Sequence, residues 1–223
     1  MEAALKVDSV QRIVLTSSVA TVRRPELEKQ SYHVCVDTDW NNFANVDNLP
    51  YPYSKVAAEK RAWDMIAQHN SAHPERQVSL VTVHPSWVMG PPVGTRVDGV
   101  SVGTIVSWLD ESQVSEGVRP QQVSCVDVRE VATAHVEAAE RESAHGRYLV
   151  TLDKSTHPLD MVAVFKKKYP NKRFPDKVNG TLNPEFGVDN SRTQKELGVV
   201  FRPLEETLSD MADKLVQLGV VKA

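Results

Sequence analysis

The sequence predicts an α/β fold with parallel strands. Two observations carry this. Val78 to Val83 (VSLVTV) is an almost unbroken β-rich run, the pattern of a strand buried on both faces. A second run, Gln11 to Leu15 (QRIVL), precedes it, and a long helical pattern lies between the two. Strand, helix, strand in that order marks a parallel βαβ unit, because parallel neighbours need a crossover.

The elements follow in order. Ala3 to Val7 reads as the end of a helix. The QRIVL strand runs into Thr16-Ser17-Ser18. Small hydroxyl residues at the carboxyl edge of a parallel sheet stand where such folds place a site; the same serines also suit a turn cap. Residues 23–50 are polar and irregular, which predicts a long surface excursion with no element of its own. Asn48 is expected to cap the next helix, with Pro50 and Pro52 in or near its first turn, and that helix runs to about His69. Val56, Trp63, Ile66 and Ala67 form its apolar stripe, with Glu59, Lys60, Arg61 and Asp64 largely off it. Ser71 to Arg76 is a linker.

The VSLVTV strand leads into His84-Pro85-Ser86-Trp87-Val88. Residues 93–120 are glycine-rich and polar, with a helical patch from Val102 to Leu109, and are expected to cover a substrate. Val123 to Val126 reads as a strand. Asp127 and Glu130 form a capping box for a helix to about Arg141. Arg147 to Thr151 is a further strand. Pro158 opens a helix to Tyr169, residues 170–190 read as loop, and Ser191 caps a short helix ending at Gly198. Pro203 opens a last amphipathic helix that ends at Gly219.

Composition bounds the function. The chain has 223 residues, 41% hydrophobic and 25% charged, with a net charge of −3. One globular domain with a small lobe fits these values. The near balance of charge argues against nucleic-acid or acidic-lipid partners. No apolar run is long enough to cross a bilayer, and the N-terminus lacks a signal-peptide pattern, so a cytoplasmic location without a membrane partner is expected. Cys35 and Cys125 are expected as free thiols. The seven histidines show no metal-binding spacing, so no metal site is expected. No G-x-S-x-G elbow supports a hydrolase triad. His84 fits a satisfied structural histidine better than a catalytic one. Lys166-Lys167-Lys168 at a helix C-terminus reads as a solvated face.

The chemistry centres on Tyr51 and Lys55. They are four residues apart and so share a helix face. An ammonium near a phenol stabilises the phenolate, which suits a general acid. The bland alternative is an interfacial tyrosine beside a solvated lysine. Tyr53 is off the required spacing and is expected only to pack or face solvent.

The order TSSVATV, YPYSKVAAE, VHPSWVMGPP, SCVDVREVATAHVEAAE, then GRYLV, KKKYP and RTQKELG resembles the extended short-chain dehydrogenase/reductases. The branch it is most similar to holds the dihydroflavonol and cinnamoyl-CoA reductases, whose acidic-x-x-Trp loop is matched by Asp37 to Trp40. The resemblance implies the C-terminal portion of a Rossmann-type doubly wound parallel sheet plus a small substrate-binding lobe. Residues 1–92 would carry the sheet and catalytic residues. Residues 93–223 would be mainly the lobe, with strands near 123–126 and 147–151 returning to the core.

By the same resemblance, Tyr51 donates a proton to a substrate carbonyl. Lys55 supports Tyr51 and hydrogen-bonds the nicotinamide ribose, and Ser18 holds or polarises the carbonyl. Pro85 and Val88 line the nicotinamide side, so cofactor contacts fall to Tyr51, Lys55, Pro85 and Val88. Arg23 stands where the branch tends to face substrate, but it fits a solvated arginine better. The implied cofactor is NADP(H) rather than NAD(H), and the implied partner is a small carbonyl compound.

One family feature is missing. The glycine-rich turn that meets the cofactor pyrophosphate has no counterpart, since the glycines start at Gly90. Gly90, Gly94, Gly99 and Gly103 have the wrong spacing and follow the wrong strand. The chain is therefore expected to be part of a longer protein. Its QRIVL strand would then have an open edge that invites self-association. Three functions follow as expectations: carbonyl reduction or its reverse; a non-catalytic truncated paralogue that binds a partner; and a sugar-nucleotide epimerase/dehydratase or hydroxysteroid dehydrogenase.

Overall fold

The computed structural model describes every residue except Gln30 and Ala223. A short helix α1 (Glu2–Leu5) precedes strand β1 (Arg12–Thr16). A single 3-10 turn (Val19–Thr21) and the helix α2 (Pro25–Glu28) lead to β2 (His33–Cys35). The crossover helix α3 (Pro50–Ala72) brings the chain back to β3 (Ser79–Pro85), and β4 (Trp87–Met89) follows at once. Next come α4 (Val100–Leu109), β5 (Cys125–Asp127), α5 (Val128–Glu140) and β6 (Gly146–Val150). The remaining elements are α6 (Pro158–Lys168), β7 (Phe186–Val188), α7 (Ser191–Leu197) and α8 (Leu204–Gln217).

The central sheet has the order β1-β3-β6 and every pairing in it is parallel. Successive side chains of a strand point to opposite faces. Leu80, with Ile13 and Leu15, packs on Ala62 and Ile66 of α3. Val81 and Val83, with Val14, pack on Ala134 and Ala138 of α5. Both faces are therefore covered, and each large aliphatic side chain so buried contributes about 1.5–3 kcal/mol. Among the described residues β1 pairs with β3 alone, so its other edge is open.

The capping box forms as the sequence predicts. Arg129 N donates to Asp127 Oδ1 at 2.9 Å, and Asp127 N donates to Glu130 Oε2 at 3.2 Å. Gly198 ends α7 in the left-handed conformation, φ 68°, which a side chain would oppose. A second core lies between α4, α6 and α8, built on Trp108, Phe165 and Met211. The Trp108 and Phe165 rings meet edge-on at 6.3 Å.

Several local expectations are corrected. Residues 23–50 and 170–190 are not free of elements: they hold α2 and β2, and β7, respectively. β2 and β7 pair in parallel with Val34 opposite Gly187. A Cβ at Gly187 would lie 2.7 Å from the Tyr32 hydroxyl, so a larger residue there would push the exposed Tyr32 side chain aside. The strand expected at 123–126 begins at Cys125 and pairs with β4, apart from the central sheet. Val123 instead bridges to Thr156, whose N–H donates to the Val123 carbonyl at 2.8 Å.

Asn48 does not cap α3. Its side chain accepts from Asn45 N and donates to the Phe43 carbonyl, which closes the preceding turn, and Leu49 flanks the helix. Asn190, not Ser191, stands at the N-cap position of α7, without a side-chain cap bond. On α3, Ala67 is exposed while Glu59 is buried, the reverse of the expected stripe. Lys166 and Lys167 do form a solvated face, Lys167 within an exposed pair with Glu205 at 2.7 Å, while Lys168 is partly covered and pairs with Asp213 at 2.8 Å.

Candidate active site

The two serines after β1 diverge. Ser17 N donates to the Val83 carbonyl at 2.8 Å, which extends the β1–β3 ladder by one residue. Its Oγ donates to Glu59 Oε2 at 2.6 Å, inside the protein. Ser18 is extended and its Oγ accepts from Ala20 N at 3.2 Å, which starts the 3-10 turn. Ser18 therefore caps a turn and also borders a cavity of about 930 Å³.

Tyr51 borders the same cavity from the first turn of α3. Its side chain is held open: the residue is 59% exposed. Lys55 Nζ lies 6.0 Å from the centre of the Tyr51 ring, as the four-residue spacing requires. Lys55 does not border the cavity and makes no ion pair among the described residues. Tyr53 is exposed. The structure thus brings Ser18 and Tyr51 to one cavity and leaves Lys55 beside the Tyr51 ring, off the cavity lining.

The other candidates separate. Val88 borders the cavity. Pro85 is buried, stands opposite Val150 in the β3–β6 pairing and does not border it. Arg23 borders the cavity but is not a solvated cation. It grips Glu28 through two bonds, at 3.0 and 2.5 Å, and its guanidinium lies 3.9 Å from the centre of the Phe186 ring. Arg119 and Ser101 bring the 93–120 segment to the rim, and Asn41 and Leu49 bring the 23–50 segment.

Beneath the site lies a group that sequence reasoning missed. Glu59 is 1% exposed. Arg147 Nε donates to its Oε1 at 2.7 Å, and His84 Nε2 lies 3.4 Å from the same oxygen. Burial opposes ionisation of Glu59. The neighbouring His84 ring and the Arg147 guanidinium outweigh it and hold the carboxyl well below its usual range. His84 is fully buried and satisfied, with Nδ1 near the Ser18 carbonyl and Thr21 Oγ1, and Nε2 near Thr82 Oγ1 at 2.8 Å. Its structural role stands. The signal for Glu59 was its place four residues after Lys55 and eight after Tyr51, on the same helix face.

Cys35 and Cys125 are free and buried, and burial pushes both thiols up to about 12. Neither is a nucleophile in the folded chain. The residues present fit a nicotinamide at one end only. Tyr51 and Val88 face open space there. Gly90 offers no pyrophosphate cradle, because the Asp127 carboxylate stands 3.0 Å from where its Cβ would be and would repel a phosphate.

No family model matches the chain. Among curated proteins it is 28% identical over 220 residues to a cinnamoyl-CoA reductase of Medicago truncatula, covering 96% of this chain and 63% of the relative. It is 31% identical over 229 residues to an uncharacterised oxidoreductase of Schizosaccharomyces pombe, covering 96% and 66%. The chain thus spans just under two thirds of these relatives. Among solved structures, the yeast methylglyoxal/isovaleraldehyde reductase Gre2 complexed with NADPH matches with a TM-score of 0.79 and 25% identity, over 98% of this chain and 68% of that one.

Proposed function

We propose, for a chain that belongs to the extended short-chain dehydrogenase/reductases in the branch of the cinnamoyl-CoA reductases, the NADPH-dependent reduction of a ketone or aldehyde. The observation that carries this reading is that Ser18 and Tyr51 line the same cavity. A reduced nicotinamide supplies the hydride when bound. Ser18 Oγ donates a hydrogen bond to the carbonyl oxygen and fixes it. Tyr51 delivers its phenolic proton to the oxygen as negative charge develops there. Lys55, beside the Tyr51 ring, stabilises the phenolate left behind. Val88 and Trp87 give the wall an apolar surface against which the ring and substrate pack.

NADP(H) is favoured as cofactor because the matched yeast reductase was solved with NADPH. Tyr51, Lys55 and Val88 would contact its nicotinamide end. Pro85 would act from inside the strand, by shaping the turn into Ser86, and Arg23 would border the substrate while paired with Glu28. The test is Tyr51→Phe with NADPH and a panel of alkyl and aryl aldehydes. Turnover should fall by about 10²–10⁴-fold; unchanged turnover sinks the proposal.

The open edge of β1 supports a second reading, a binding protein that takes a partner strand there. Titration with NADPH separates the two. Micromolar binding supports the reductase, while no binding together with a concentration-dependent increase in mass supports the partner role.

A further inference from the structure

Three sequence motifs converge on one buried side chain. Arg147, on β6, spends its guanidinium on four separate acceptors. Nε donates to Glu59 Oε1 at 2.7 Å. One terminal nitrogen donates to the carbonyls of Asp37 and Asp39, each at 2.6 Å. The other donates to Thr21 Oγ1 at 3.0 Å. The face of the guanidinium stacks 4.0 Å from the centre of the Trp40 ring. We infer that Arg147 is a positioning residue for the proposed active site, setting Ser18, Tyr51 and the Asp37 to Asn41 loop relative to one another. This rests on the reductase reading of that site.

The connections are short. Glu59 stands two turns below Tyr51 on a continuous helix, so fixing Glu59 fixes the axial position of α3. Glu59 also accepts from Ser17, the neighbour of Ser18. Thr21 donates to the Ser18 carbonyl at 2.9 Å, so Arg147 reaches Ser18 from both sides. The Asp37 to Asp39 carbonyls hold the loop whose next residue but one, Asn41, borders the cavity. Asn41 N in turn donates to the Thr21 carbonyl at 2.7 Å. Lysine keeps the charge but carries a single point of donors and cannot span four acceptors in a plane. A buried ion pair is weak evidence of stability by itself. Here each branch of the fork ends one or two residues from a group that faces the cavity, or on the catalytic helix.

The test uses Arg147→Lys and Glu59→Gln in the full chain, with two readouts. In steady-state assays kcat should fall by about 100-fold, the cost of misplacing groups by about an ångström, while KM for the aldehyde changes by less than about threefold, because the cavity surface is intact. In native-state hydrogen exchange the Thr21 and Asn41 amides should exchange about tenfold faster than in the parent, with the β3 amides unchanged. A folded Arg147→Lys variant with parental kcat and parental exchange at Thr21 and Asn41 overturns the inference. Where Arg147→Lys does not fold, Glu59→Gln carries the same two readouts. Where the parent itself reduces no aldehyde, the reductase reading fails, and exchange at Thr21 and Asn41 decides the positioning role on its own.

Discussion

Tyr51 and Glu59 lie two turns apart on one face of α3, in opposite surroundings. Tyr51 is 59% exposed, and its phenol has no hydrogen-bond partner among the described residues. Glu59 is 1% exposed and bonded by Ser17 and Arg147, with His84 beside it. Under the proposed function, the contrast assigns two tasks to one helix. The group that exchanges a proton with substrate has to be free to meet it. The group that fixes where it stands has to be out of water, where a charge-assisted bond is directional and strong.

Substitutions at the two ends are therefore expected to differ in kind. The largest effect is expected from Glu59→Ala. It leaves the Arg147 charge buried without its partner and should lower stability by about 3–5 kcal/mol, read from the urea midpoint. A loss under about 1 kcal/mol breaks the comparison. Ser17→Ala removes one donor from the same carboxylate and should cost about 1–3 kcal/mol. An acid titration sharpens the point. The folded carboxyl of Glu59 is held below its ordinary value of 4.5, so it stabilises the fold above that pH and loses the contribution as pH falls below it. Glu59→Gln should therefore flatten the stability loss below pH 4.5, with little change in slope near neutrality. The smallest effect is expected at the exposed end. Tyr51→Phe should move stability by no more than about 0.5 kcal/mol while it removes carbonyl reduction.

The same contrast explains what could be read from the residues alone. Tyr51, Lys55 and Ser18 carry motif spacing, and the main strands carry long apolar runs, so both were legible. So was the cap at Asp127, where two side chains at fixed spacing suffice. Glu59 carried only its spacing from Tyr51 and Lys55, and Arg147 carried no signal. A glutamate on a helix and an arginine at a strand start are ordinary in type, and their meaning comes from each other across 88 positions. β2 and β7 escaped because three residues give no period to detect, and they are strands only through each other. Asn48 misled because an asparagine two residues before a proline suits a helix cap and a turn equally well. Arg23 read better as a solvated cation, because its pairing with Glu28 and its place on the cavity depend on how α2 folds back.

The all-parallel pairing of the central sheet has a kinetic consequence. Arg12 of β1 and Ser79 of β3 are neighbours separated by 67 positions, and no hairpin exists in this sheet to start it. Every strand contact there waits for a long loop to close, which slows folding. The helix that carries Tyr51 is itself the crossover, so it can form locally before the sheet that supports it. The Arg147 to Glu59 bond, spanning more chain still, is expected to close after the main barrier. Its removal should then speed unfolding more than it slows folding, leaving the refolding limb of a denaturant-jump experiment nearly unchanged.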